Sequence, residues 1–296
     1  MPAADLQQTM SSLLIPLGGT VVAQAAAAML MLAIPVLGPV LTAKLGIAPE
    51  RIGLLTGACA LGTVWFMTVS RLFLARFGPV RSLQIGLAVA ALALMSIAAA
   101  SWPLVLLSAL LVGAGYAPNA PASSVILARV STRRQTPLVF SIKQAAVPLG
   151  GVASGLLVPL LLASGRLEPA TAVLAAIALL VAFLVQPLRH RFDAPDPSAP
   201  FGLRALVSPA NIVAMACAVG GNPELRLLTL TGIAFSVMQS AVFGFLVTHL
   251  VGVGLAYATA GVCFSAMAIA GVIGRLVLGW LASASGKPRM VLAGLG

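Results

Sequence analysis

Charged residues, and acidic ones above all, are scarce in this sequence. Asp, Glu, Lys and Arg together make up 8% of its 296 residues, whereas a soluble globular domain carries about a quarter. A chain with so little charge would expose large apolar patches in water and aggregate. The composition therefore excludes an ordinary soluble domain and predicts a protein whose solvent is the lipid bilayer.

The six acidic residues all fall in termini, loops or helix ends: Asp5, Glu50, Glu168, Asp193, Asp196 and Glu224. No carboxylate is thus expected at mid-membrane depth, where proton-coupled carriers usually need one. The sequence also lacks P-loop, HExxH and Ser/His/Asp arrangements, and clusters of Asp, His or Glu that could form an intramembrane active site. These absences predict that the protein is not an enzyme and that it needs no cofactor or metal.

Cysteine is rare as well. The three residues, Cys59, Cys217 and Cys263, lie in or near apolar segments and show no CxxC spacing. Their odd number and wide separation argue against a disulfide framework and against a metal site. We predict that they are buried thiols.

Long apolar runs make up most of the chain, since 60% of the residues are hydrophobic. A bilayer core of about 30 Å needs roughly 20 apolar residues per helix. Eight runs of about this length cover residues 13–41, 52–70, 83–100, 103–127, 138–163, 170–188, 227–251 and 257–282. The sequence therefore predicts an all-α membrane protein with eight transmembrane helices. Between the sixth and seventh runs lies a charged, proline-rich linker, within which the apolar stretch 212–219 is too short to span.

The 17 Lys and Arg residues give a formal net charge of +11. They form short clusters between the apolar runs instead of one continuous stripe, which argues against nucleic acid as a partner. If the N-terminus is cytoplasmic, only Lys44, Arg51 and Arg166 fall on the outer side and the other 14 fall on the inner side. Because Lys and Arg are enriched in cytoplasmic loops, this distribution predicts a cytoplasmic N-terminus.

Two segments of the chain resemble each other at an offset of 208 residues. Residues 45–48 align with 253–256, and the loop 76–81 aligns with 284–289. The offset carries the second span and its basic loop onto the eighth span and its loop. A spacing of six helices predicts two parallel six-helix halves related by an axis along the membrane normal.

Both basic loops resemble the motif G-x-x-x-D-R-x-G-x-R-R, which in the major facilitator superfamily follows helix two and recurs more loosely after helix eight. Residues 71–81 keep its central Arg, its Gly and an Arg, but carry Ala75 in place of the Asp that closes a cytoplasmic latch in the family. Residues 279–289 keep the first Gly and have Ser283 in place of the Asp. The resemblance implies gating or motif roles for Arg76, Gly78, Arg81, Arg275, Gly286 and Arg289.

Other segments resemble particular branches of this superfamily. Residues 141–151 are close to the Gly-Pro-x-x-Gly-Gly motif of antiporter fifth helices. Residues 223–226 and 274–279 resemble a bacterial branch near the cyanate-permease-like transporters. The resemblance implies a monomeric secondary active transporter of the bacterial inner membrane, which moves a small organic solute by alternating access. A drug-type exporter and a non-functional transporter fragment are the alternatives.

The resemblance also implies a division of the chain. Residues 1–188 would form an N-terminal six-helix bundle, residues 189–226 a cytoplasmic linker, and residues 227–296 part of a C-terminal bundle with helices seven and eight. The family has twelve helices, so we expect this chain to be a fragment or a truncated product whose second half is incomplete.

Polar side chains within the apolar runs are the candidates for a solute site, because they cost free energy unless they face a cavity or another helix. The candidates are Gln24, Asn119, Lys143, Gln144 and Gln239. We expect them to point toward one central cavity, where Lys143 would anchor an anionic solute and the amides would orient it. The alternative for each amide is a hydrogen bond to a neighbouring helix, and for Lys143 it is snorkelling to the cytoplasmic headgroups.

Overall fold

Helices account for nearly all of the described backbone, as expected where peptide groups have no water to bond. A computed structural model describes residues 3–132, 135–199 and 201–285. Its helices are α1 (Ala3–Leu45), α2 (Ile52–Phe77), α3 (Pro79–Ser96), α4 (Trp102–Tyr116), α5 (Asn119–Ala128), α6 (Thr136–Leu161), α7 (Leu167–Leu184), α8 (Arg189–Phe192), α9 (Leu203–Leu206), α10 (Pro209–Gly220), α11 (Pro223–Gly252) and α12 (Tyr257–Ser285). Several of these helices carry proline in their first turn, where its missing N–H leaves no bond unmade.

Eight helical segments in the described part of the chain are long and apolar enough to cross a membrane, as the sequence predicted. They are Leu13–Leu45, Pro49–Phe77, Pro79–Ala99, Trp102–Ala128, Thr136–Leu161, Leu167–Phe192, Pro223–Gly252 and Tyr257–Leu281. The apolar stretch of the linker forms α10, which has 12 residues and is too short to span. The all-α membrane fold is confirmed.

The fourth span is broken near its middle, a feature that the hydrophobic pattern does not show. Pro118 and Pro121 have no N–H to donate, so the regular backbone bonds fail between α4 and α5. The carbonyl of Ala117 instead accepts a shorter-range bond from Ala120 N at 3.3 Å. The side chain of Asn119 bonds the carbonyl of Tyr116 at 2.9 Å and so bridges the break.

Glycines allow α2 and α4 to touch backbone to backbone. A Cβ atom on Gly62 would overlap the carbonyl oxygen of Leu110, and one on Gly113 would overlap that of Cys59. The hydroxyl of Thr63 bonds both the Cys59 carbonyl, at 2.9 Å, and the Gly113 carbonyl, at 3.1 Å. Membrane helices usually associate through small residues that allow close packing, because burying apolar surface gives little driving force in lipid.

The last span lies along α6. Gly155 and Gly261 meet so closely that a Cβ on either would collide with the backbone of the other, and Ser265 Oγ donates to the Val152 carbonyl at 3.1 Å. By contrast, α11 contacts α1 and α2 only near its C-terminal end, where Phe245 packs on Gly53 and Thr248 lies against Gly38. Residues 223–242 of α11 are exposed on all sides.

Most charged groups lie at the two ends of the bundle. At one end, which we call the basic end, Arg76, Arg81 and Arg129 surround the chain that leaves the sixth span. At the opposite end, Lys44 and Arg166 both face Glu168, at 3.9 and 3.6 Å. Arg133 and Lys287, which the sequence assigns to the basic end, lie outside the described residues.

The prediction of three buried thiols is wrong for two of them. Cys59 is buried at the contact between α2 and α4, whereas Cys217 and Cys263 are exposed. Cys217 belongs to α10, which is exposed along its length, and Cys263 lies on the outer face of α12. Hydrophobic context alone does not show which side of a membrane helix meets protein and which would meet lipid.

The contact between α2 and α4 can be tested with two glycines of the same helix. Gly62→Ala places a methyl group against the α4 backbone and should destabilise the protein by about 1–3 kcal/mol. Gly57→Ala is the matched control, because a Cβ there meets no atom within 4 Å. Thermal unfolding of both variants in detergent measures the difference. Equal melting temperatures would contradict the packing described.

Candidate functional site

A cavity of about 430 Å³ lies between the first spans and the last two. Its polar wall consists of Thr63, Tyr116, Gln144, Ser236, Gln239, Ser240 and Arg275. Its apolar wall consists of Ala28, Met31, Leu32, Ala60, Val64, Val147, Pro148 and Phe243. A mostly apolar cavity with a few convergent polar groups is the usual form of a small-molecule site.

Three polar side chains from three spans meet at one edge of the cavity. Gln24 Nε2 lies 3.4 Å from Gln144 Oε1, and Gln24 also lies near the Tyr116 hydroxyl. Gln24 itself is buried behind the lining, and its Oε1 has no hydrogen-bond partner among the described residues. Gln144 is exposed to the cavity. Two of the predicted amides are thus brought together, with Gln24 supporting Gln144 from behind.

The far wall of the cavity carries the third amide and the site's cation. Gln239 and Ser236 are one turn apart on α11, and Arg275 projects from α12. The Arg275 guanidinium packs along Gly271, where a Cβ would lie 3.4 Å from Nη1. No carboxylate of the described residues forms an ion pair with Arg275. The sequence assigned Arg275 to gating; the structure places it in the lining.

Lys143 does not line this cavity, and it is buried between helices instead of extending to the surface. Its side chain is 3% exposed, and its Nζ donates to the Ala120 carbonyl at 3.2 Å and to Ser124 Oγ at 3.4 Å. The Phe140 ring lies 5.7 Å from the same nitrogen. Lys143 therefore binds α5 just beyond the break in the fourth span. Lys143 and Gln144 are consecutive residues, so a rotation of about 100° around the helix turns their side chains to different neighbours.

Asn119 is also held away from the cavity. It is 1% exposed, and its Nδ2 donates a hydrogen bond to the Tyr116 carbonyl across the helix break. Its Oδ1 is buried without a hydrogen-bond partner in the described part of the chain. Asn119 therefore fixes the position of Tyr116 and does not itself belong to the cavity wall.

Of the predicted gating residues that the structure describes, only Arg275 lines the cavity. Arg76, Gly78 and Arg81 are at the basic end, where they contact the segment that follows the sixth span. Gly286 and Arg289 lie outside the described residues. Groups of His, Cys, Asp and Glu that could hold a metal ion were found nowhere in residues 3–132, 135–199 and 201–285.

Cysteine substitutions at two consecutive positions of α6 can test which face of the helix meets water. In a background where the three native cysteines are replaced by serine, Gln144→Cys should react with a charged methanethiosulfonate reagent. Lys143→Cys is the control, and it should react at least about tenfold more slowly because reaction follows thiol exposure. Equal rates at positions 143 and 144 would show that the cavity is placed incorrectly.

Comparison with known proteins bears on this site. A comparison with curated proteins gave no significant match. The family model described as Major Facilitator Superfamily matches residues 18–296, a range that includes every residue of the cavity wall. The fold agrees, with eight apolar helices of membrane-spanning length in the described chain. The protein is therefore a multi-pass membrane protein of a secondary-transporter family: it belongs to the major facilitator superfamily.

Proposed function

We propose that this transporter moves a small organic anion and that Arg275 is the group that binds it. The observation that carries the proposal is the guanidinium in the cavity wall, which forms no ion pair with a carboxylate of the described residues. Arginine keeps its charge in proteins. A cation at membrane depth costs several kcal/mol unless a counter-charge or water compensates it, and a solute anion would supply that charge.

The neutral groups around Arg275 suit the orientation of such an anion. Gln144, Gln239 and the Tyr116 hydroxyl offer donors from three different spans, and the two serines of α11 add more. None of these groups carries a negative charge that would repel the solute. Charge-assisted hydrogen bonds from a guanidinium to a carboxylate are about twice as strong as neutral ones, so Arg275 would dominate the affinity.

Contacts along α11 support an alternating-access mechanism. Near the opposite end, Gly244, Phe245 and Thr248 close against α1 and α2. Toward the basic end, residues 223–242 of the same helix are exposed, so this closure is confined to one end of α11. We propose that residues 1–188 and 227–296 belong to two halves that rock about the cavity, with residues 189–226 linking them.

The remaining assignments rest on the sequence. The excess of Lys and Arg at the basic end supports a cytoplasmic location for that end and for the N-terminus. Residues 223–226 and 274–279 support a bacterial inner-membrane protein near the cyanate-permease-like branch. We propose that it acts as a monomer, because solute sites of this family type lie between the halves of one chain.

A drug-type exporter is the second candidate, and one feature of the cavity favours it. A second space of about 270 Å³ continues from the first toward the opposite end and shares Met31, Leu32 and Phe243 with it. Its other lining groups include Pro35 and Cys59. An apolar extension of this kind suits an amphipathic solute with a larger hydrocarbon part.

Ligand-induced thermal stabilisation of the purified chain in nanodiscs tests the proposal. Small carboxylates such as malonate and benzoate should raise the melting temperature of the wild-type protein. Arg275→Gln should weaken their apparent affinity by about 30-fold or more, equivalent to at least 2 kcal/mol, because a charged pair loses one partner. Lys143→Gln should leave the affinity within about threefold of wild type.

Arg226→Gln serves as the matched control, since Arg226 is an exposed arginine of α11 away from the cavity wall. Carboxylate stabilisation that survives in Arg275→Gln but disappears in Lys143→Gln would overturn the assignment of the anchor. Stabilisation by tetraphenylphosphonium and by none of the carboxylates would instead favour the exporter.

A further inference from the structure

The chain that leaves the sixth span contacts the ends of three other spans at the basic end. Phe192 is 2% exposed, and its carbonyl accepts a bond from Arg129 Nη1, at 2.9 Å, just after α5. Asp196 N donates to the Ala75 carbonyl at 2.9 Å, and Arg76 donates to the Pro197 carbonyl, both at the end of α2. These contacts do not depend on the central cavity or on any solute.

Asp193 makes the most specific of these contacts, because it caps α3 from another part of the chain. The first N–H groups of a helix have no partner within it, and Gly78, the residue before α3, has no side chain to bond them. Asp193 Oδ1 accepts from Val80 N at 2.7 Å and Oδ2 accepts from Arg81 N at 3.0 Å. A carboxylate is favoured at a helix N-terminus by the helix dipole as well as by these bonds.

Gly78 is required for this approach on two grounds. Its φ of +83° is in the left-handed region that other residues avoid. A Cβ at this position would lie 2.6 Å from Asp193 Cγ. The glycine that the sequence assigned to a motif therefore makes room for an acidic side chain 115 positions later, which no local pattern reveals.

The charge environment of Asp193 is basic. Arg189 Nε lies 3.8 Å from Oδ2, and the Asp193 side chain is 3% exposed. Burial raises the pKa of the Asp193 carboxyl, while the two backbone N–H groups and the charges of Arg189 and Arg81 act to lower it. Asp196, in the same segment, is different: its carboxylate accepts hydrogen bonds from the backbone N and the hydroxyl of Ser198 and stays exposed.

We propose that residues 192–197 form a clamp, held by Asp193, that fixes the start of the linker to the ends of the second, third and fourth spans. The loop after the second span has Ala75 where its family motif carries an acid. Asp193 places a carboxylate against the same loop from the linker. Asp193 is thus a positioning residue, and Gly78 and Arg81 are parts of its binding site.

Tryptic cleavage after Arg191 measures the clamp in the intact chain. Phe192 must leave the core before the protease can cut, so the cleavage rate follows the population of the open clamp. Asp193→Ala should accelerate cleavage by about tenfold, the loss expected for a charge-assisted cap, and Asp193→Asn should give an intermediate rate. Asp196→Ala is the matched control and should cleave at the wild-type rate.

Labelling of the buried Cys59 thiol, in a Cys217→Ser/Cys263→Ser background, reports whether the bundle itself unfolds. If Asp193 holds a local clamp, the Asp193→Ala variant should be cleaved faster while its Cys59 labelling stays unchanged. Equal cleavage of the Asp193→Ala and Asp196→Ala variants would overturn the proposal. So would a parallel rise in Cys59 labelling, since Asp193 would then stabilise the whole bundle and not a local clamp.

Discussion

The lack of hydrogen-bonding partners in a bilayer governs where each polar group of this protein lies. Most of them bond the backbone of their own or a neighbouring helix, as Ser154 does to the Met29 carbonyl at 2.7 Å. Lys143 follows the same rule with the carbonyl of Ala120. The wall of the central cavity holds the exceptions, among them the exposed Gln144 and Arg275, which forms no ion pair with a carboxylate of the described residues. The site is therefore defined by the polar groups that the packing leaves over.

The spans were predictable from the sequence. A run of about 20 apolar residues crosses the membrane as a helix, because a helix satisfies its own backbone hydrogen bonds where water is absent. The glycines that contact neighbouring helices were harder to predict. Gly53 and Gly57 have the spacing of a packing pair, yet a Cβ on Gly57 would meet no atom within 4 Å, while the closest approach in this helix is at Gly62. Which side of a helix faces protein depends on its rotation against neighbours, and composition does not record that rotation.

The candidate site was predicted in part for the same reason. Gln144 and Gln239 do line the cavity, whereas Lys143 and Asn119 are turned to the broken fourth span. The break follows from Pro118 and Pro121, and it creates local partners for both side chains. Arg275 stands in an apolar run far from any acid in sequence, and this signal could have identified it as a candidate for the cavity wall. The Asp193 cap could not have been found, since it joins residues on different spans.

The proposed function requires that a solute anion binds Arg275 inside the cavity. An anomalous difference map of crystals soaked in 4-bromobenzoate tests this, because the bromine is inert to thiols and marks the solute through its anomalous scattering. We expect a bromine peak inside the cavity, with the carboxylate at hydrogen-bonding distance from the guanidinium and the bromine toward Phe243. Bromine peaks found only among the arginines of the basic end, with the cavity free of density, would contradict an anion site at Arg275.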